Sequence, residues 1–363
     1  MTKRIIIAGG GTGGHIFPAI AIANALKRRV QNTEVLFVGA LGRMEMEKVP
    51  QAGYKIEGIP IAGFNRSSLI KNIGLPWKLL KSFFRVRQIV NGFKPDAVIG
   101  VGGYSSFPVL RYAQTRGIPT FIHESNSFAG KSNQLLGKRA TKIFVATDGM
   151  EPFFPAAKII VTGNPIRPQI ATANAITKEE ALQYFGLTNT KTTVLVVGGS
   201  LGARSINEAI EGGLDRLLLN NIQLIWQTGK TEAERWKQRA AGKEGIWVSE
   251  FITAMEYAYA AADIVVSRAG AMAVAELCMV QKPVVFVPLP FAAEDHQTAN
   301  ARNLVQKNAA LMVKDSEAKD KVIPMILELA SDMGKRNSLK VAIGKYAVQN
   351  ADEHIVSEIL NVL

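Results

Sequence analysis

Ile5-Ile6-Ile7-Ala8-Gly9-Gly10-Gly11-Thr12-Gly13-Gly14 is a short apolar run that breaks into a stretch of glycine interrupted only by Thr12. Four apolar residues in a row suit a strand buried on both faces, and the glycines allow a tight turn into a helix. The same device recurs at Val194-Leu195-Val196-Val197, followed by Gly198-Gly199-Ser200-Leu201-Gly202. Around both, short β-branched runs alternate with helical stretches, which predicts an α/β protein with parallel sheets. Strands are expected near 4–8, 34–38, 96–100, 119–123 and 142–146 in the first half. In the second half they are expected near 159–162, 193–197, 222–227, 263–267, 283–287 and 310–313.

At 363 residues the chain is long for one domain and comfortable for two, each able to bury its own core. Gly163-Asn164-Pro165-Ile166-Arg167-Pro168 carries turn residues and two prolines and reads as the linker. The expected organisation is an N-terminal domain over 1–163, a second domain over 164–340, and a C-terminal helix in 341–363 that packs back on the first. Two tandem nucleotide-binding-like folds facing each other leave a central cleft. Ligands of open parallel sheets sit beyond the carboxyl ends of the strands, so both glycine loops should line it.

Composition narrows the function classes. The single cysteine, Cys278, excludes an internal disulfide framework and a cysteine-based zinc cluster, and fits a reducing compartment. Lys3 and Arg4 precede an apolar run that ends after four residues, too short for the core of a signal peptide. No stretch approaches the eighteen apolar residues of a membrane span, so a cytoplasmic protein is expected. A net charge of +13 asks for an anionic partner: a phosphorylated small molecule, an acidic lipid surface or nucleic acid. Nucleic acid ranks last, because there is no zinc-finger spacing, aromatic RNA-binding signature or Lys/Arg block.

Gly9, Gly11 and Gly14 formally satisfy G-x-G-x-x-G, but a dinucleotide site also wants an acid at the end of the second strand. Here Val35-Leu36-Phe37-Val38 ends in Gly39-Ala40, which places an NAD-dependent oxidoreductase behind other readings. No Gly-Lys-Ser/Thr closes either glycine run, so a Walker loop fails too. Backbone N–H groups at a glycine turn and helix N-terminus suit a diphosphate, with Thr12, Gly13, Gly14 and His15 where backbone would meet ligand. Pro18, near the start of the first helix, fits a helix initiator. A second helix, beginning near Ala271, can offer N–H groups to phosphate oxygens, with Arg268 adding positive charge.

Taken together the motifs resemble the MurG family of transferases, which add N-acetylglucosamine to lipid I to make lipid II. The resemblance rests on Gly9-Gly10-Gly11-Thr12-Gly13-Gly14-His15-Ile16-Phe17-Pro18, Gly100-Val101-Gly102-Gly103-Tyr104, His123-Glu124-Ser125-Asn126 and Gly163-Asn164-Pro165-Ile166-Arg167. It continues through Gly198-Gly199-Ser200-Leu201-Gly202-Ala203, Ser267-Arg268-Ala269-Gly270-Ala271 up to Glu276, and Asp295-His296-Gln297-Thr298-Ala299-Asn300-Ala301. What it implies is two facing Rossmann-like domains of the GT-B type, an inverting mechanism, and no metal or other cofactor. The first domain would serve the acceptor and the membrane, the second the UDP-sugar donor. The implied partners are UDP-N-acetylglucosamine, the undecaprenyl-pyrophosphate-linked acceptor lipid I, and an anionic membrane surface, with no nucleic acid. The implied location is peripheral, on the cytoplasmic face of the bacterial plasma membrane. Another UDP-sugar transferase, a UDP-sugar epimerase and a non-catalytic sugar-nucleotide binder are the competing readings.

By the same resemblance, Glu276 accepts hydrogen bonds from the ribose hydroxyls, Ser200 contacts the diphosphate and Arg167 binds the donor. The main chain of Ile252 lies close to uracil, Asn126 reaches the donor, and Ala271, Met272, Ala273, Val274 and Ala275 supply the helix start beneath it. Gln297 can offer both a donor and an acceptor to sugar hydroxyls. Some relatives carry Gln at Ser125, and Ser and Thr at Ala269 and Ala273, so any hydroxyl contacts at the last two are missing here. No Asp-x-Asp occurs to hold a cation on the diphosphate, so basic and main-chain donors must stabilise the leaving UDP.

Residues 66–94 mix Arg66, Lys71, Lys78, Lys81, Arg85, Arg87 and Lys94 with Leu69, Ile70, Leu75, Trp77, Leu79, Leu80, Phe83 and Phe84. A helix with that apolar face and cationic border suits shallow insertion among anionic headgroups. For the general base that takes the proton of the acceptor 4-hydroxyl, histidine has the ordinary pKa nearest neutrality. His15 is the candidate, with His123 and Glu124 as rivals. His296 reads as part of the donor loop, and His354 lies in a C-terminal helix away from the motifs.

Overall fold

The computed structural model describes residues 2–61, 75–171, 173–199, 201–290 and 295–363. The chain divides into two compact units, Met1–Ile166 with Asn350–Leu363, and Arg167–Gln349.

In the first unit, β1 (Arg4–Ala8), β2 (Glu34–Ala40), β3 (Lys55–Ile59), β4 (Ala97–Gly100), β5 (Thr120–Glu124), β6 (Lys142–Val145) and β7 (Ile159–Val161) form one sheet. Its order is β3-β2-β1-β4-β5-β6-β7 and the paired strands run parallel. Alternate residues of β1 face opposite layers. Ile5 and Ile7 pack with Ile16, Ile22 and Leu26 of helix Gly13–Arg29, while Ile6 and Ala8 pack with Val86, Val90, Val109 and Leu110. Both faces are covered, which is why β1 is an unbroken apolar run and not an alternating one. Each fully buried isoleucine there contributes roughly 1.5–3 kcal/mol.

The final helix, Ala351–Leu360, lays Ile355, Val356 and Ile359 on the layer of Ile5 and Ile7. Its outer side is tied down by Arg28 to Asp352 and Glu353, both at 2.7 Å, and by Lys142 to Glu358 at 2.6 Å. The preceding helix, Met333–Gly344, belongs to the second unit, so residues 341–363 are shared between two helices and two units.

In the second unit β8 (Thr192–Val197), β9 (Ile222–Gln227), β10 (Ile246–Ser249), β11 (Ile264–Ser267), β12 (Val284–Phe286) and β13 (Leu311–Met312) are ordered β10-β9-β8-β11-β12-β13, again parallel. Val194, Val196 and Trp226 pack against Ile206, Ile210 and Leu214 of helix Arg204–Leu219 and Val322 and Ile326 of helix Ala318–Ser331. Gly213 lets those helices touch, since a Cβ there would stand 2.3 Å from Ile323 Cγ1. The buried Trp226 indole donates to Asn207 Oδ1 at 3.0 Å.

Each sheet thus reverses its winding beside its first strand, between β1 and β4 and between β8 and β11. Ligands of such sheets bind outside the carboxyl ends at that reversal, and each glycine loop leaves its sheet there. Three expectations change. β3 and β10, both edge strands, are not among the expected ones: Lys55-Ile56-Glu57-Gly58-Ile59 mixes charge with apolar residues, and all four residues of β10 are only half-buried. The strand near 159–162, assigned to the second half, pairs with β6 and closes the first sheet. Pro18 is not an initiator, because the helix starts at Gly13 and the ring removes the N–H that would bond the Gly14 carbonyl.

Candidate functional site

The first glycine loop is shaped around a buried side chain that the sequence did not single out. Glu45 is 1% exposed, and its Oε2 accepts the Gly11 N–H at 2.7 Å while Oε1 accepts that of Ala40 at 3.0 Å. The neighbouring N–H groups of Gly9 and Gly10 donate to the carbonyls of Val38 and Gly102, each at 3.2 Å. Gly10 has φ +148°, and a Cβ on it would lie 2.3 Å from Glu45 Cδ. Gly9, Gly10 and Gly11 therefore have their N–H groups engaged within the protein, with a carboxylate already in their concavity. An incoming anion is left with the start of the helix, Thr12, Gly13 and Gly14, where first-turn N–H groups lack intrahelical partners. Thr12 is the N-cap, and its side chain caps nothing.

His15, half-buried in that first turn, has Nδ1 2.9 Å from the Gly10 carbonyl. A carbonyl only accepts, so Nδ1 carries the hydrogen and, in the neutral ring, Nε2 holds the free lone pair. Nε2 lies over Gly102, where a Cβ would come within 2.8 Å, and Gly102 has φ +94°.

The two rival bases sit differently. His123 is completely buried in β5, and burial pushes it down to about 4. Glu124 is 4% exposed, and its oxygens accept from Asn126 N and Nδ2, Gly130 N and Asn133 Nδ2 at 2.8–3.2 Å. It pins the turn after β5, and it also takes the amide of Asn126, the residue expected to reach the donor.

In the second unit, Ser200 lies outside the described residues, but the rest of its loop packs closely. Gly199 and Gly202 have φ +85° and +84°, and a Cβ on Gly202 would stand 2.2 Å from the Thr228 carbonyl. Gln227 joins the loop to Ile252, donating to the Gly199 carbonyl at 3.0 Å and accepting the Ile252 N–H at 3.3 Å. Arg268 is tied into the fold. Its side chain is 13% exposed and donates to Asp315 at 2.5 Å and to the carbonyls of Val287 and Pro288 at 2.9 and 3.1 Å. It thus pairs with Asp315 and braces the loops after β11 and β12, close to the helix start where it is expected to add positive charge.

The helix Ala271–Val280 follows β11 from an N-cap at Gly270 that gives no side-chain cap, and its first turn holds no acid. Ala271 to Ala275 are half-buried, and the positive end of this helix suits an anion. Further along, Glu276 is 5% exposed and forms a fork with Arg167, Nε to Oε1 at 3.0 Å and Nη2 to Oε2 at 3.1 Å. The buried Tyr259 hydroxyl donates to Oε2 at 3.0 Å. Burial raises the Glu276 carboxyl above its ordinary value, opposed by the Arg167 charge and by both partners' hydrogen bonds. The two residues expected to hold the donor thus hold each other. Gln297, in helix His296–Val305, accepts the Leu289 N–H at 3.0 Å.

Helix Leu75–Phe93 carries part of the amphipathic segment. Leu80 and Phe84, one turn apart, are 48% and 60% exposed, whereas Val86, Ile89 and Val90 are buried. Residues 66–74 and the side chains of Leu75, Trp77, Lys78 and Leu79 lie outside the described residues. Among the described residues no helix is long and apolar enough to cross a membrane, and no group of three His, Cys, Asp or Glu is placed to hold a metal ion.

Known proteins align with the whole chain. Residues 5–145 match the glycosyltransferase family 28 N-terminal domain and residues 193–355 the family 28 C-terminal domain. A Parabacteroides distasonis protein, named UDP-N-acetylglucosamine–N-acetylmuramyl-(pentapeptide) pyrophosphoryl-undecaprenol N-acetylglucosamine transferase, is 50% identical over 363 residues, 99% of this chain and 98% of its own. The crystal structure of the Acinetobacter baumannii MurG superposes with a TM-score of 0.82 at 31% identity, covering 99% of both chains. A UDP-GlcNAc 2-epimerase from Neisseria meningitidis, bound to UDP-GlcNAc, has a TM-score of 0.68 at 15% identity over 99% of this chain and all of that one, a likeness of fold alone. With both halves matched in order and a relative half identical from end to end, the chain belongs to glycosyltransferase family 28 and, within it, to the MurG family.

Proposed function

We infer that this chain transfers N-acetylglucosamine from UDP-N-acetylglucosamine to the N-acetylmuramyl residue of lipid I, giving lipid II. The end-to-end identity with a transferase of that name carries the reading. The geometry fits it: each unit has a glycine loop and a helix N-terminus at the reversal point of its sheet. In the reaction the acceptor 4-hydroxyl attacks the anomeric carbon, a new C–O bond forms, and the bond to UDP breaks with inversion. His15 takes the hydroxyl proton on Nε2, and the electron pair of the broken bond leaves on UDP.

The first turn of helix Ala271–Val280 and the second glycine loop with Ser200 stabilise the diphosphate, a preorganised arrangement in which one donor is worth on the order of 3 kcal/mol of barrier. Glu276 receives the ribose hydroxyls, with Arg167 beside it. Ile252 backs the uracil, while Gln297 and Asn126 address the sugar. Arg268 acts through loop geometry and adds positive charge near the helix start. Leu80 and Phe84, with Lys81, Arg85 and Arg87 on the same helix, dock the protein on the anionic cytoplasmic face of the membrane, where the acceptor is held.

The test is incubation of the protein with UDP-N-acetylglucosamine, with and without lipid I. Lipid II and UDP in equal amounts are expected only when lipid I is present. UDP or an epimerised UDP-sugar formed without it would replace this reading with a hydrolase or an epimerase.

A further inference from the structure

We propose that Glu45 is a positioning residue of the reaction, acting on His15 through the Gly10–Gly11 peptide bond. The proposal rests on the reading of His15 as the base. A peptide unit points its N–H and its C=O in opposite directions. Here the N–H of the unit, on Gly11, faces Glu45 Oε2 at 2.7 Å, and its C=O, on Gly10, faces His15 Nδ1 at 2.9 Å. The carboxylate polarises the peptide, and hydrogen bonds in such a chain strengthen one another. Negative charge is thereby presented to Nδ1–H, as a carboxylate in direct contact would present it. When Nε2 accepts the proton of the attacking hydroxyl, the imidazolium gains that charge.

Three glycines clear the space this chain needs. A Cβ on Gly10 would lie 2.3 Å from Glu45 Cδ, one on Gly39 would lie 2.5 Å from Glu45 Cγ, and one on Gly103 would lie 2.4 Å from the Gly10 carbonyl oxygen. The carboxylate is 1% exposed, and among the described residues no lysine or arginine forms an ion pair with it. A buried carboxylate with two N–H partners and no cation is expensive to keep, and an apolar side chain would fill the place more cheaply.

The experiment is a double-mutant cycle of Glu45→Gln and His15→Ala in the full-length protein, with kcat and KM measured on UDP-N-acetylglucosamine and lipid I. Glu45→Gln should lower kcat on the order of 10- to 100-fold with donor KM within about twofold, and in the His15→Ala background it should have less than about a twofold effect. The acidic limb of the wild-type rate profile should move to lower pH in Glu45→Gln, because the protonated imidazole loses its support. Equal losses in both backgrounds, or an unmoved limb, would reduce Glu45 to a fold-stabilising role and overturn the proposal. Near-normal turnover of His15→Ala alone would instead remove the base assignment on which it rests. If Glu45→Gln fails to fold by thermal melting, Glu45→Met, which removes the charge at similar volume, goes through the same cycle with the same criteria.

Discussion

Replacing Glu276 by alanine removes the acceptor of three hydrogen bonds, two from Arg167 and one from Tyr259. A carboxylate has about four lone-pair sites, so two ribose hydroxyls can bind only if the Arg167 fork loosens. Hydrogen bonds to a charged group are worth about 1.5–3 kcal/mol each. Two of them, less the cost of loosening the fork, leave about 1.5–3 kcal/mol, or roughly 10- to 100-fold in the UDP dissociation constant. Stability falls separately, because the buried Tyr259 hydroxyl loses its acceptor at a cost of about 1–3 kcal/mol.

Calorimetric titration of UDP into wild type and Glu276→Ala measures the first quantity, and denaturant unfolding without UDP the second. A folded Glu276→Ala that binds UDP within twofold of wild type refutes the ribose assignment. Acidity offers an independent check. Burial raises this carboxyl, so UDP affinity should decline as pH falls through its elevated value. The stability contribution has the opposite sign: it is present at acid pH and lost as pH rises through that value.

His15→Ala should lower kcat about 100-fold or more with UDP affinity nearly unchanged, measured by turnover alongside titration; a loss confined to affinity places the base elsewhere. His123, held neutral by burial at about 4, contributes stability above pH 6.5 that is lost as pH falls towards 4. Urea unfolding at pH 7.5 and 4.5 should show a decline of about 2.5 kcal/mol from this group, largely absent in His123→Asn. Wild type should co-sediment with anionic liposomes, less so at high salt, and Leu80→Ser with Phe84→Ser should weaken retention several-fold; retention equal to wild type would clear this helix face of the role.

The sequence disclosed what repeats or runs. Ile5–Ala8 and Val194–Val197, each followed by glycines, were enough to place two parallel sheets and their loops. It was weaker where a strand has one neighbour. Lys55–Ile59 and Ile246–Ser249 lie on sheet edges and carry half of an apolar pattern. It was weakest for partners distant along the chain. Nothing around Glu45 announces that a carboxylate will fill the turn at Gly10–Gly11, and nothing near Tyr259 points to Glu276. Arg268 likewise has a partner that its place beside a glycine and a helix start does not announce. Asp315, forty-seven positions away, pairs with it. Spacing reports local conformation, whereas charge compensation is decided by contacts across the fold.

The return of the chain into its first unit bears on how the protein is made. Arg167–Gln349 is contiguous, so the second unit has all its residues once that stretch has left the ribosome. The first unit does not. Until Asn350–Leu363 emerges, the layer of Ile5, Ile7, Ile16 and Ile22 lacks the cover of Ile355, Val356 and Ile359. The first unit is therefore completed after the second, and until Asn350–Leu363 is made it carries an apolar face that chaperones, or a neighbouring nascent chain, can reach.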